Sequence, residues 1–200
     1  MFEMIIANLL GIILLFFFLW KKLKEDYHFE KIFNLAFTIL FFQIIASIIA
    51  NKFFLDYWFW INLTGIVLGF VISIIRQKMK FFESYDGLVI GLLPWFSFTF
   101  FAQAVHNSSL INFIGFWIIL VLVFTFLFLD SQYRKYTWYK SGKVGFSSVV
   151  TSFLFFAIRS VLGIFFAGSA SLLPNFESYL SGAFAFSFLL VLYRLASFKD

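Results

Sequence analysis

The chain has 200 residues, of which 62% are apolar and only 12% are charged, and it contains no cysteine. This composition excludes a soluble globular protein, and the lack of cysteine excludes disulfides and thiol ligands for a metal. The net charge of +5 comes from basic residues scattered over several loops, which argues against nucleic acid as a partner.

Seven apolar stretches divide the chain, each close to the 20 or so residues that a helix needs to cross a bilayer. They are residues 4–20, 32–50, 57–75, 87–106, 110–129, 146–167 and 179–195. They predict an all-α fold, a polytopic membrane bundle of seven transmembrane helices in which residues 1–200 form one integral membrane domain. Glu3 precedes the first stretch and lysines follow it, the reverse of a cleavable signal, so we expect a retained helix.

The basic residues predict the orientation of the bundle, because loops rich in lysine and arginine stay on the cytoplasmic side. Thirteen of the fifteen basic residues follow the first, third or fifth stretch or lie at or beyond the end of the seventh, whereas the alternate loops contain only Lys52. The thirteen are Lys21, Lys22, Lys24, Lys31, Arg76, Lys78, Lys80, Arg134, Lys135, Lys140, Lys143, Arg194 and Lys199. We therefore expect the N-terminus outside, seven crossings and a cytoplasmic C-terminus.

Small residues in the third and fourth stretches indicate where helices pack closely. Gly65 with Gly69, and Gly87 with Gly91, are each spaced four residues apart and lie on one face of a helix. Such pairs allow two helix backbones to approach each other in a membrane. We interpret both pairs as packing features without a functional role.

Arg159, the fifteenth basic residue, lies within the sixth stretch, beyond its midpoint toward the outside. An arginine at the centre of a membrane helix costs about 2.5 to 3.5 kcal/mol, and its guanidinium does not deprotonate. Because no Asp or Glu lies within the seven stretches, three partners are open: a backbone carbonyl, a loop carboxylate such as Asp56 or Glu177, or an anionic lipid group. The alternative without a function is a side chain that snorkels to the headgroups.

Further polar residues are expected at a similar depth, near the outer ends of the third and fourth stretches. They are Asn62, Gln103, His106 and Asn107. His106 could accept a proton near neutral pH, although a lone interfacial histidine is more often only a boundary residue. Together with Arg159, these residues predict a polar, cationic pocket that opens toward the outer leaflet.

Several local patterns, in the same order, resemble the prolipoprotein diacylglyceryl transferases, which also have seven transmembrane helices and an external N-terminus. Residues 59–65 read Phe-Trp-Ile-Asn-Leu-Thr-Gly where the family has Phe-His-Gly-Gly-Leu-x-Gly. The basic Gly-rich loop at 140–146, followed by Arg159, is similar to the family's loop and arginine-bearing sixth helix. The other similar segments are residues 20–24, 29–36, 76–80, 86–94 and 103–105.

The chain departs from the family pattern at the positions that carry the chemistry. Trp60 replaces the histidine of the His-Gly-Gly motif, and Asn107 replaces the arginine of the signature after the fourth helix. Gly163 replaces the acid that follows the sixth-helix arginine by one turn, so only Arg159 matches. The remaining replaced positions are Ser47, Ile61, Asn62, His106 and Ser108.

The resemblance implies an activity in the outer half of a bacterial plasma membrane. Members of the family transfer the diacylglyceryl group of phosphatidylglycerol to the cysteine thiol of a lipoprotein precursor peptide, and we expect neither a cofactor nor a metal. In this chain, Arg159 would bind the phosphate at two points, and His106 would replace the missing base. Asn62, Gln103 and Asn107 would contact the substrate.

Two other functions are compatible with the sequence. A non-catalytic descendant that binds phospholipid or a lipidated partner fits the missing motif residues better, because one arginine leaves much of the transition-state charge uncompensated. A small transporter is the third possibility. The absence of a carboxylate within the stretches argues against coupling to ions or protons.

Overall fold

The computed structural model describes residues 2–132, 145–165 and 176–197, and these ranges consist of helices joined by short turns. A single 3₁₀ turn, Leu55–Tyr57, precedes the third helix. The helices are α1 (Phe2–Leu23), α2 (Phe29–Phe53), α3 (Trp58–Gln77), α4 (Phe81–Asn107), α5 (Leu110–Gln132), α6 (Phe146–Phe165) and α7 (Phe176–Ser197). The fold class predicted from the apolar stretches is therefore confirmed.

Each of the seven helices in the described ranges is long and apolar enough to cross a membrane. Large apolar side chains such as Ile75, Leu110 and Phe165 point outward and are more than 70% exposed. In water this exposure would be unfavourable, whereas in a bilayer these side chains contact hydrocarbon. The chain is a multi-pass membrane protein.

Among the helices that begin earlier than the apolar stretches indicate, two extend over a carboxylate that is buried. α4 begins at Phe81 rather than near residue 87, and α7 begins at Phe176 rather than near residue 179. These extensions bring Asp86 and Glu177 into membrane-spanning helices, where both are almost completely buried. The premise that no carboxylate lies within the spans is therefore wrong, and so is the argument against ion coupling that depended on it.

The helices pack as antiparallel neighbours around α4. α2 pairs with α3, α4 with α5, and α6 with α7, while α1 packs along α4. α3 does not approach α6 and α7 closely through its backbone; it meets them through aromatic rings, for example Phe59 on Phe155 and Trp60 on Phe184. A space lined by rings therefore remains between α3, α4, α6 and α7.

The glycine pairs are packing features, as predicted. A methyl group at Gly69 would lie 2.8 Å from the Cα atom of Ile39 on α2, and one at Gly65 would collide with Ala46. On α4, a methyl group at Gly91 would lie 2.7 Å from the Leu15 side chain of α1. Both pairs bring their helix against a neighbour at a distance that a larger residue would not permit.

The alternating helix directions place the start of α1 at the same end of the bundle as the starts of α3, α5 and α7. We call this end the predicted outer end, and the opposite end the predicted cytoplasmic end, after the orientation expected from the loop charges. The orientation itself stays a prediction. Several predicted cytoplasmic residues lie outside the described ranges, namely Arg134, Lys135, Lys140, Lys143 and Lys199.

Candidate functional site

A buried ion pair joins α6 to α7 at the predicted outer end. Arg159 is 7% exposed, and Glu177, in the first turn of α7, is completely buried. The guanidinium Nε donates a hydrogen bond to Oε2 of Glu177 at 3.1 Å, and Nη2 lies 2.8 Å from the same oxygen. Of the partners that the sequence left open, the structure shows a carboxylate, that of Glu177. The Arg159 side chain therefore stays within the protein and does not snorkel to the headgroups.

Aromatic side chains of α3 complete the surroundings of the ion pair. The guanidinium carbon of Arg159 lies 3.6 Å from the ring centre of Phe59, which is a cation–π arrangement. Trp60 donates a hydrogen bond from its Nε1 to Oε1 of Glu177 at 2.9 Å. Each oxygen of the carboxylate thus has a donor, and three helices meet at one buried carboxylate.

The family that the chain resembles carries an acid on the sixth helix, at the position of Gly163, whereas here the acid that contacts Arg159 lies on α7. The packing of α7 against α6 explains this difference. A Cβ atom at Gly163 would lie 3.4 Å from Cβ of Glu177 and 3.0 Å from the backbone nitrogen of Ser178. Gly163 follows Arg159 by one turn on α6 and leaves room for the start of α7. Glu177 therefore lies beside the position at which the resembling family carries an acid.

Part of the hydrogen-bonding capacity of this site is unused. Arg159 Nη2 lies 2.8 Å from Oε2 of Glu177, but its hydrogens are poorly aligned with that oxygen, so the pair at this nitrogen is an ion pair rather than a well-formed hydrogen bond. The hydroxyl of Ser181, one turn along α7 from Glu177, is buried without a partner. Buried polar groups normally have well-formed hydrogen bonds, so the site holds two groups on neighbouring helices whose hydrogen bonding is incomplete among the described residues.

A cavity of about 140 Å³ lies between α3, α4, α6 and α7. Its few polar groups include Thr151 and the pair Tyr85 and Ser152, whose hydroxyls are hydrogen-bonded at 2.6 Å. Phe156 and Phe184 line the cavity and also stack on Trp60. Rings therefore connect the cavity to the residue that holds Glu177.

The other predicted site residues have different neighbours. Asn62 donates to the carbonyl of Trp58 at 2.7 Å and accepts from Gln43 at 3.3 Å. Gln103, His106 and Asn107 lie in the last turns of α4. In the described ranges, the recorded contacts of the Arg159 guanidinium are with Glu177, Phe59 and Trp60 and with none of the four. A site shared by all five residues stays a prediction.

Asp86 is a second buried carboxylate, at the predicted cytoplasmic end, and the sequence analysis missed it. It accepts hydrogen bonds from the backbone nitrogens of Gly145 at 3.0 Å and Ser148 at 3.3 Å. Asp86 of α4 therefore caps the N-terminus of α6, where unpaired backbone N–H groups favour a negative charge. The serine-rich start of α6, with Ser147 and Ser148 buried, was the available signal for a polar contact.

Comparison with known proteins identifies no relative: no family model matches the chain, and neither a curated protein nor a solved structure is significantly similar to it.

Proposed function

We propose that this protein binds a phosphatidylglycerol-type lipid at the outer leaflet of a bacterial plasma membrane, as a non-catalytic relative of the prolipoprotein diacylglyceryl transferases. The supporting observation is the buried pair of Arg159 and Glu177 at the predicted outer end, because it places within the bundle a guanidinium, a group suited to binding phosphate. The lipoprotein precursor peptide is a second potential partner, because it would carry the acceptor thiol in the related reaction.

The chemistry of the pair suits a hydroxylated phospholipid headgroup. A guanidinium has five N–H donors, and Glu177 engages only those on Nε and Nη2, so a remaining donor of Arg159 would bind a phosphate oxygen. Such charge-assisted hydrogen bonds are stronger than neutral ones. Glu177 accepts from Trp60 and Arg159, and a carboxylate has about four acceptor positions in total, so its remaining capacity would accept a headgroup hydroxyl. A donor beside an acceptor matches a phosphate linked to glycerol.

The same pair argues against turnover. Transfer of the diacylglyceryl group leaves a glycerol phosphate whose developing charge needs cations for stabilisation. In the described ranges, Arg159 is the only buried cation, and Glu177 neutralises it. A site without net positive charge can hold the lipid in its ground state without lowering the barrier of the reaction. We therefore expect binding without product.

The test uses purified full-length protein with phosphatidylglycerol and a peptide that carries a lipobox cysteine. Lipid binding and diacylation of the peptide are measured in the same samples. We expect saturable binding without diacylated peptide, and Arg159→Lys should weaken binding because lysine lacks the planar two-point grip on phosphate. Arg76→Lys is the matched control, because Arg76 is exposed in the last turn of α3 at the opposite end of the bundle.

Two outcomes would overturn the proposal. Sustained diacylation of the peptide by the wild-type protein would show that the remaining residues support the transferase reaction. Equal lipid binding by the wild-type protein and Arg159→Lys would show that the lipid does not bind at the ion pair.

A further inference from the structure

An apolar groove runs along the membrane-facing side of α2 and α3, separate from the ion pair. Its volume is about 550 Å³. Residues of both helices and of the 3₁₀ turn line it: Phe42, Ile45, Ala46, Ile49, Phe54, Tyr57, Trp60, Ile61, Thr64, Gly65 and Leu68. Because the surrounding helix faces are apolar and exposed, the groove opens toward the hydrocarbon of the bilayer.

The shape of the groove favours a single hydrocarbon chain. α2 and α3 are in close contact at Gly65, which forms part of the floor together with Ala46. Large side chains on both helices, such as Ile45 and Leu68, form the sides. A helix is about 10 to 12 Å wide with its side chains, too wide to reach the floor between two touching helices.

The length of the groove matches one leaflet. From Trp58 to Leu68, α3 rises about 15 Å at 1.5 Å per residue, and half of the hydrocarbon core of a bilayer is about 15 Å thick. The groove begins at the predicted outer end, where Tyr57 has the amphipathic ring that favours the headgroup region. Its length is therefore that of one acyl chain in the outer leaflet.

The groove also has a cation at its headgroup end. Lys52 follows the lining residue Ile49 by three positions on α2, so it lies one turn further out on a similar face of the helix. Its ammonium group lies 5.3 Å from the ring centre of Phe53. Lys52 is the only basic residue in the loops that the charge pattern predicts to be external. Its charge complements the phosphate of an anionic lipid.

We infer that this groove holds one acyl chain of an anionic phospholipid of the outer leaflet, with the phosphate at Lys52. The site is distinct from the one at Arg159 and does not depend on the proposed function. Trp60 lines the groove with its ring and donates from Nε1 to Glu177, so an occupied groove would also support the residue that orients the ion pair.

The experiment uses the full chain reconstituted in a bilayer with phosphatidylglycerol that carries a photoreactive group midway along one acyl chain. We expect crosslinks to concentrate on Ile45, Ile61 and Leu68. Thr64→Phe should reduce them several-fold by filling the groove. Thr125→Phe is the matched control: Thr125 lies on α5, and both threonines donate to the carbonyl four residues earlier.

The charge is tested with Lys52→Gln, which should reduce the preference for phosphatidylglycerol over phosphatidylcholine about five-fold, as expected for one basic residue at a membrane surface. Lys24→Gln is the control, because Lys24 also lies over a ring, that of Trp20, but at the opposite end of the bundle. Arg159→Lys should leave the groove crosslinks unchanged, which separates this site from the proposed function. Crosslinks spread evenly over all membrane-facing helices, or an unaffected yield in Thr64→Phe, would overturn the inference.

Discussion

Two buried carboxylates, Glu177 and Asp86, lie at opposite ends of the bundle and are stabilised in different ways. Glu177 accepts hydrogen bonds from two side chains, those of Arg159 and Trp60. Asp86 accepts from two backbone N–H groups, those of Gly145 and Ser148. Both arrangements offset the cost of burying a carboxylate, but only the first buries a cation with it.

This difference separates a structural site from a candidate binding site. The partners of Asp86 are backbone groups at the start of α6, and they can only change if the helix end moves. The partners of Glu177 are side chains that can rotate, and they include Arg159, the only buried cation of the described ranges. We therefore assign helix capping to Asp86 and ligand binding to the site at Glu177, and the following predictions test that assignment.

The largest expected effect concerns which end of the bundle faces outside. The natural chain has no cysteine, so Asn107→Cys and Lys24→Cys each introduce a single thiol. In intact cells a membrane-impermeant maleimide should label Asn107→Cys fully and Lys24→Cys only after lysis, while the unmodified chain provides the background. The reverse pattern would place Arg159 and Glu177 at the cytoplasmic end and remove both outer-leaflet proposals.

The second prediction tests whether breaking the ion pair lowers the free energy of unfolding more than removing the Asp86 cap does. Glu177→Ala leaves the Arg159 guanidinium buried without its counter-charge, and removal of one partner of a buried pair costs about 3 to 5 kcal/mol. The free energy of unfolding in detergent should fall by this amount. The double variant Arg159→Met with Glu177→Leu should recover most of the loss, because apolar replacement of a whole buried pair is often neutral or stabilising. Failure of this rescue would show that packing rather than charge dominates the site.

The third prediction concerns the cap on α6. Asp86→Ala leaves two buried backbone N–H groups without acceptors, and we expect a loss of about 1 to 3 kcal/mol. Hydrogen exchange at Gly145 and Ser148 should accelerate, whereas phosphatidylglycerol binding should not change. The control at the same end is Asp130→Ala, which removes a partly buried ion pair with Lys22 that is worth about 1 kcal/mol. Weaker lipid binding in Asp86→Ala would contradict a purely structural role.

Part of the candidate site could be predicted because placing one residue, Arg159, within a membrane helix costs free energy unless the residue has a partner. A guanidinium within an apolar stretch must have a partner, so Arg159 was identified from its position alone. Glu177 could be named only as one of several partners, since its distance in sequence does not reveal its distance in space. Trp60 was noted as a replaced motif residue, and nothing in the sequence indicated that its indole would donate to Glu177.

The boundaries of two helices show a second limit of prediction. Hydropathy places the end of a span at the first charged residue, so Asp86 and Glu177 were assigned to loops. The helices continue through them because each carboxylate has donors from a neighbouring helix, Ser148 for Asp86 and Arg159 for Glu177. A buried charge is tolerated where its partners are in place, and those partners are a tertiary property.

The sequence by itself determined the class of the protein, because seven long apolar stretches can be satisfied only by helices in a membrane. It also indicated that α3 packs closely against another helix, since Gly65 and Gly69 have no side chains to keep the backbones apart, and the structure shows that this helix is α2. Only the tertiary structure decided which carboxylate meets Arg159 and which helix end Asp86 caps. Such pairings depend on hydrogen-bond distances of about 3 Å between residues far apart in the chain, and local patterns carry no information about them.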